Sequence, residues 1–139
     1  MPASSDRLLR RTLKGNAVFS VISGVALIAF AGPFAALATR EPVAVAGLSL
    51  AIVFELLGAG VVLFGLLCAY IATRPALPVG LARIVFAADL AWVLGSAVVL
   101  LLPASWTGLG VTGIAVVALV VADLAILEYL GLRRLEAAA

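Results

Sequence analysis

Glu55, Asp89 and Asp123 each interrupt a long apolar stretch of the chain. An ionisable group in such surroundings is costly unless it is neutralised, paired or turned toward a polar interior, so these acids are where proton or cation chemistry is sought first. Arg83 is the basic residue placed to pair with Asp89 or Asp123. Beside a single guanidinium the three acids cannot all be ionised in a dry core, so one is expected to pair with Arg83 while another carries a proton. The first apolar stretch has no acid, but Asn16, Ser20 and Ser23 recur at i, i+4, i+7 and share one helical face. A polar layer built from Asn16, Ser20, Ser23, Glu55, Asp89, Asp123 and Arg83 is therefore the candidate ligand- or proton-binding site. Glu128 lies nearer the basic end of its stretch, where an interfacial bridge to a neighbouring arginine is the expected role.

Other chemistries find little support. The chain has no histidine and one cysteine, Cys68, so a Ser-His-Asp or Cys-His triad and an internal disulfide are excluded. Zinc, copper and haem sites draw on His or several Cys, so neither a metal site nor a cofactor is expected. The glycines at 108, 110 and 113 open a helix outside any βαβ unit and are no dinucleotide fingerprint. No nucleophile accompanies the acids, so no catalytic residue is assigned and an enzyme is not the favoured class.

The elements that must position these residues follow from composition. Of 139 residues, 65% are hydrophobic and 12% charged, too few charges for the surface of a water-soluble domain. The apolar residues fall into runs, which predict helices at about 15–38, 43–72, 79–102 and 109–132 after a short basic segment, 1–14. Each run exceeds the roughly 20 residues a helix needs to cross a bilayer. None alternates as a barrel strand would. Short breaks join them: Thr39-Arg40-Glu41-Pro42, a double-proline stretch from Thr73 to Pro78, and Pro103 to Gly108, where Trp106 suits an interfacial anchor. Such connections predict a single all-α transmembrane domain, 1–139, folded as an up-down-up-down four-helix bundle with the lipid bilayer as its partner.

Orientation follows from the basic residues. Arg7, Arg10, Arg11, Lys14, Arg74, Arg83, Arg133 and Arg134 fall on the side shared by the termini, and Arg40 alone on the other. The positive-inside rule then predicts a multi-pass protein of the inner (plasma) membrane with both termini cytoplasmic. The same rule accounts for the basic residues without nucleic acid as a partner. An export signal is the competing reading of Arg10-Arg11-Thr12-Leu13-Lys14, but the supposed passenger would itself be three spans, so the segment is expected to be a basic, partly amphipathic entry helix, with Leu8, Leu9 and Leu13 against the arginines, that runs into the first span.

Packing stripes are also legible. Ala87, Ala91 and Gly95 form a small-residue ladder on the third helix, beside a polar stripe of Asp89, Trp92 and Ser96, and are expected to be a close helix–helix seam. Two functions fit these expectations. One is a small polytopic protein that binds or transports a proton, cation or small polar ligand through a polar cluster in the cytoplasmic half. The other is a non-catalytic assembly protein, a homo-oligomer or part of a larger membrane complex, whose polar residues only fasten helices.

Overall fold

The structure, a computed structural model, describes residues 6–102 and 105–138. It is all-helical apart from one small hairpin. Helix α1 spans Arg7–Ala29, α2 Ala31–Ala38, α3 Leu50–Thr73, α4 Val79–Leu101 and α5 Gly108–Ala137. Strands β1 (Ala44–Val45) and β2 (Leu48–Ser49) pair in antiparallel register, Ala44 opposite Ser49 and Val45 opposite Leu48. Helices α1, α3, α4 and α5 are each long and apolar enough to cross a membrane.

The basic segment is helical from Arg7 onward and runs without a break into the first long helix as part of α1, as a basic entry helix would. Several boundaries depart from those predicted, each for a local reason. The run expected to end at 38 breaks at Phe30, whose φ of −117° and ψ of 24° lie outside the helix. Pro33 explains the break, because it has no N–H to donate to the carbonyl four residues back and its ring crowds that carbonyl. The second helix starts at Leu50 and not at 43, since Ala46 (φ 51°) and Gly47 (φ 82°) turn the chain into the hairpin. Positive φ at both central residues is what a tight hairpin turn requires. Ser49 then caps α3, its Oγ accepting from the Ile52 N–H at 3.4 Å. Helix α5 is likewise capped by Thr107, whose Oγ1 accepts from the Gly110 N–H at 3.0 Å, and it continues past 132 to Ala137. Residues 1–5 of the basic segment and Pro103-Ala104 of the third break lie outside the described residues.

Helices α1 and α3 make the most extensive contact in the molecule. Gly24 and Gly58 face each other there: a Cβ on either would lie 2.7 Å from the other's carbonyl oxygen. That approach brings two backbones together and maximises dispersion contact along the seam. At the end of the bundle that carries both termini, Leu9 of α1 lies against Gly131 of α5. Arg10 fastens the same end to the α3–α4 connection. Its Nη1 donates to the carbonyls of Ala72 (3.1 Å) and Arg74 (2.6 Å), its Nη2 to Pro75 (2.9 Å), and its Nε to Asp6 Oδ2 (2.7 Å). The apolar core sits at this end, formed by Leu9, Leu13, Cys68, Ile71, Val85 and Leu132 with smaller residues between them. At the opposite end the Thr107 N–H donates to the Ala38 carbonyl (2.9 Å) and the Arg40 N–H to Ser105 (2.8 Å), joining the α2 and α5 connections.

The expected seam on the third helix is not formed within the chain. Ala87, Ala91 and Gly95 are all exposed on α4, and a Cβ built on Gly95 meets no atom within 4 Å. The buried residues of α4 are Ala82, Val85 and Asp89, on a different face and all in its first half.

Candidate functional site

The apolar core determines where the polar layer forms. Asn16 follows core residue Leu13 by one turn on α1, Asp89 follows Val85 by one turn on α4, and Glu128 precedes Leu132 by one turn on α5. Each polar residue is in phase with the buried face of its helix, so packing the core brings the three together directly above it. All are buried: Asn16 is 1% exposed, Asp89 4% and Glu128 0%.

One carboxamide organises the cluster. Asn16 Nδ2 donates to Asp89 Oδ2 at 2.6 Å and to Glu128 Oε1 at 2.9 Å. Ser20, one turn further along α1, donates from Oγ to Asn16 Oδ1 at 3.0 Å. That bond holds the amide with its NH₂ toward the acids. Two acids thus share one neutral amide. Among the described residues both ion pairs fall elsewhere, Arg10 with Asp6 and Arg83 with Glu136. Glu128 Oε2 is buried without a hydrogen-bond donor, and the indole Nε1–H of Trp92, three residues beyond Asp89, is buried without an acceptor. An acceptor left unsatisfied in a dry interior costs several times what a bond formed in water contributes.

The structure brings together only part of the layer named from sequence. Asn16, Ser20 and Asp89 converge. Ser23 is half-buried on α1 and lines a surface groove with Lys14 and Phe19. Glu55 and Asp123 are exposed, and with α3 beginning at Leu50 Glu55 is only five residues from that helix's start. Arg83 is exposed and bonds Glu136 through Nη2 at 2.8 Å, away from Asp89 and Asp123. The residue that sequence reasoning placed elsewhere is Glu128: an interfacial bridge to arginine was expected, and the side chain is instead wholly buried on Asn16. Its signal was its phase, three and seven residues after Ala125 and Val121 and four before Leu132, all on the buried face of α5.

Among the described residues no group of three or more His, Cys, Asp or Glu side chains is placed to hold a metal ion. The described surface carries shallow grooves along α1, one lined by Lys14, Gly15 and Phe19 and one by Asp6, Arg7 and Arg11, and neither of these reaches Asp89 or Glu128. The class defined by fold and site is an all-helical bundle with four helices fit to cross a membrane and a buried amide–diacid cluster. Comparison with protein-family models, with curated proteins and with solved structures found no match.

Proposed function

We propose that the chain is a polytopic inner-membrane protein that takes up a proton on the Asn16–Asp89–Glu128 cluster, as part of a transport or coupling cycle. Membrane insertion is supported by the outward faces of the long helices. Leu63, Leu109, Leu119 and Leu101 are 66–84% exposed, a surface suited to hydrocarbon and unsuited to water. The helices run up-down-up-down with both termini cytoplasmic, a reading that rests on the basic residues gathered at the termini-bearing end. The cluster then lies in the cytoplasmic half. Asn16 is six residues beyond Arg10, about 9 Å along the helix.

The observation that carries the reading is the orphaned Oε2 of Glu128 beside a second acid with no cation among them. Two carboxylates taken from water without a counter-charge are untenable in hydrocarbon. One proton on either carboxyl removes a charge and gives the pair a hydrogen-bond donor of its own. A proton fits without opening the bundle, whereas a hydrated cation or a polar ligand does not. The test is a difference titration in liposomes of the wild type against the Asp89→Asn/Glu128→Gln double variant, reading protons bound per chain. An excess near one proton at neutral pH, rising to two in acid, is the expected result for the wild type. Equal proton binding by the two proteins at neutral pH would leave the cluster without a proton role.

A second reading is favoured by a different feature. Asn16 links α1, α4 and α5 through one side chain, and the α4 face bearing Ala87, Ala91 and Gly95 is open. A helical module that assembles with itself or a larger complex would use both features, the first to hold its shape and the second to pack a neighbour.

A further inference from the structure

The bundle differs on the two sides of the cluster. Toward the end that carries the termini, Leu9, Leu13, Ile71, Val85 and Leu132 fill the interior, and Arg10 ties that end to the α3–α4 connection. The buried polar side chains on that side are already partnered: Thr12 donates to the Leu8 carbonyl at 3.0 Å and Asp6 accepts from Arg10. Toward the opposite end polar groups continue. Ser23 follows Asn16 by seven residues on α1, and Ser96 follows Asp89 by seven on α4. Seven residues are two turns less about 20°, so each serine shares the face of its cluster residue, about 10.5 Å further along. Both helices start at the termini-bearing end and Asn16 bonds Asp89, so the serines stand at matching heights. Both are half-buried. Between Asp89 and Ser96 comes Trp92, whose Nε1–H is buried without an acceptor, as Glu128 Oε2 is without a donor. Helices α1 and α4 each pack on α5 and are joined by the Asn16–Asp89 bond, not by close approach of their backbones. No residue of α4 from Leu90 to Leu101 is buried.

We propose that water reaches the Asn16–Asp89–Glu128 cluster from the end of the bundle opposite the termini, along the facing sides of α1 and α4, and that the proton arrives by this route, which rests on the proton reading given above. Water there accepts from Trp92 Nε1–H and donates to Glu128 Oε2, two buried atoms that no group among the described residues satisfies. The hydroxyls of Ser23 and Ser96 both donate and accept, as the walls of a water file must. Hydrocarbon between the helices would leave the indole and the carboxyl unpaired, and each unpaired buried group costs more than a hydrogen bond made in water returns. A buried water needs at least about two polar partners. The apolar core offers none, so the termini side stays dry. A proton passes along hydrogen-bonded water and needs no opening wide enough for an ion. Trp92 is a positioning residue on this route, acting on the diacid through water.

The experiment is cysteine labelling of the full chain in liposomes by a charged, membrane-impermeant methanethiosulfonate, which attacks thiolates and therefore thiols in contact with water. Wild-type Cys68, 0% exposed in the apolar core, should stay unlabelled until the protein is unfolded. In a Cys68→Ala background, Ser23→Cys and Ser96→Cys should each react at least about tenfold faster than Leu94→Cys and Val98→Cys. Those two positions bracket Ser96 in height, are 60% and 57% exposed, and lie on the far face of α4. The fast labelling should occur only with reagent on the side away from the termini. A rate for either serine variant no higher than for Leu94→Cys and Val98→Cys overturns the proposal, and so does labelling from the termini side. A second measurement needs no cysteine. Trp106→Phe leaves Trp92 as the only tryptophan. Its indole N–H marker in ultraviolet resonance Raman spectra should report a hydrogen bond and should exchange its proton in D₂O. An indole free of any hydrogen bond, or one that keeps its proton, contradicts the water site. The proton reading fails on a different observation, equal titration of the wild type and Asp89→Asn/Glu128→Gln. A cluster that binds its proton while neither serine variant labels would overturn the route alone.

Discussion

Asp89 and Glu128 are closed inside the bundle on a shared amide, while Glu55 and Asp123 stand on open faces of α3 and α5. Depth separates Glu55, which lies five residues from the start of α3 and toward the opposite end of the bundle, but it does not explain Asp123. Glu128 and Asp123 belong to the same helix, five residues apart, which turns their side chains about 140° from one another. What separates them is phase with the small and apolar residues that pack. Val121, Ala125 and Leu132 carry Glu128 into the core, and no such set accompanies Asp123. An acid inside a membrane helix is therefore informative only together with the face it occupies. The buried pair has the geometry for holding a proton, and the exposed pair has the geometry for reaching water, headgroups or another chain.

Perturbations should divide along this line. The largest effect is expected from Gly24→Leu, which drives a side chain into the Gly58 backbone and displaces α1, carrying Asn16 away from both acids. A loss of about 3 kcal/mol, the upper end for overpacking, should appear in thermal unfolding in detergent. Asn16→Leu comes next. It removes two interhelical hydrogen bonds and leaves both acids without a donor, for roughly 1–3 kcal/mol. Equal stability of that variant and wild type would show that the cluster holds nothing together. Arg83→Gln removes an exposed ion pair to Glu136 and should cost no more than about 1 kcal/mol in the same assay. Smallest of all, Glu55→Gln, Asp123→Asn and Ala91→Leu should each stay within about 0.5 kcal/mol in detergent, as substitutions on open surface do. A large cost for Ala91→Leu in bilayers but not in detergent monomers would sharpen the contrast by showing that this face packs against a neighbour.

The four long helices were legible because each run is far longer than a buried soluble helix requires and proline or glycine interrupts the runs. The hairpin at 44–49 was hidden inside an apolar run, since Ala44, Val45 and Leu48 look like helix and only Gly47 marks the turn. The phase of Asn16 with Ser20 was readable on α1 and led to the cluster. Glu128 was not read correctly because distance was counted from the arginines at 133 and 134, as if the helix ended near them. It continues to Ala137, and the Leu9–Gly131 contact closes the bundle beyond Glu128. The small-residue ladder of α4 misled for a related reason. Ala87–Ala91–Gly95 repeat a small residue every four positions on one helix, whereas Gly24 and Gly58 are single glycines on two helices, and only tertiary contact shows which becomes a seam within one chain.

The proposal that Asp89 and Glu128 share a proton is tested most directly by infrared difference spectroscopy of the carboxylic-acid C=O band in lipid bilayers. A protonated, buried carboxyl should be present in the wild type, should shift or vanish in both Asp89→Asn and Glu128→Gln, and should be untouched by Glu55→Gln and Asp123→Asn. A band that survives in both cluster variants, or one that disappears with Glu55→Gln or Asp123→Asn, would contradict a proton held on the amide–diacid cluster.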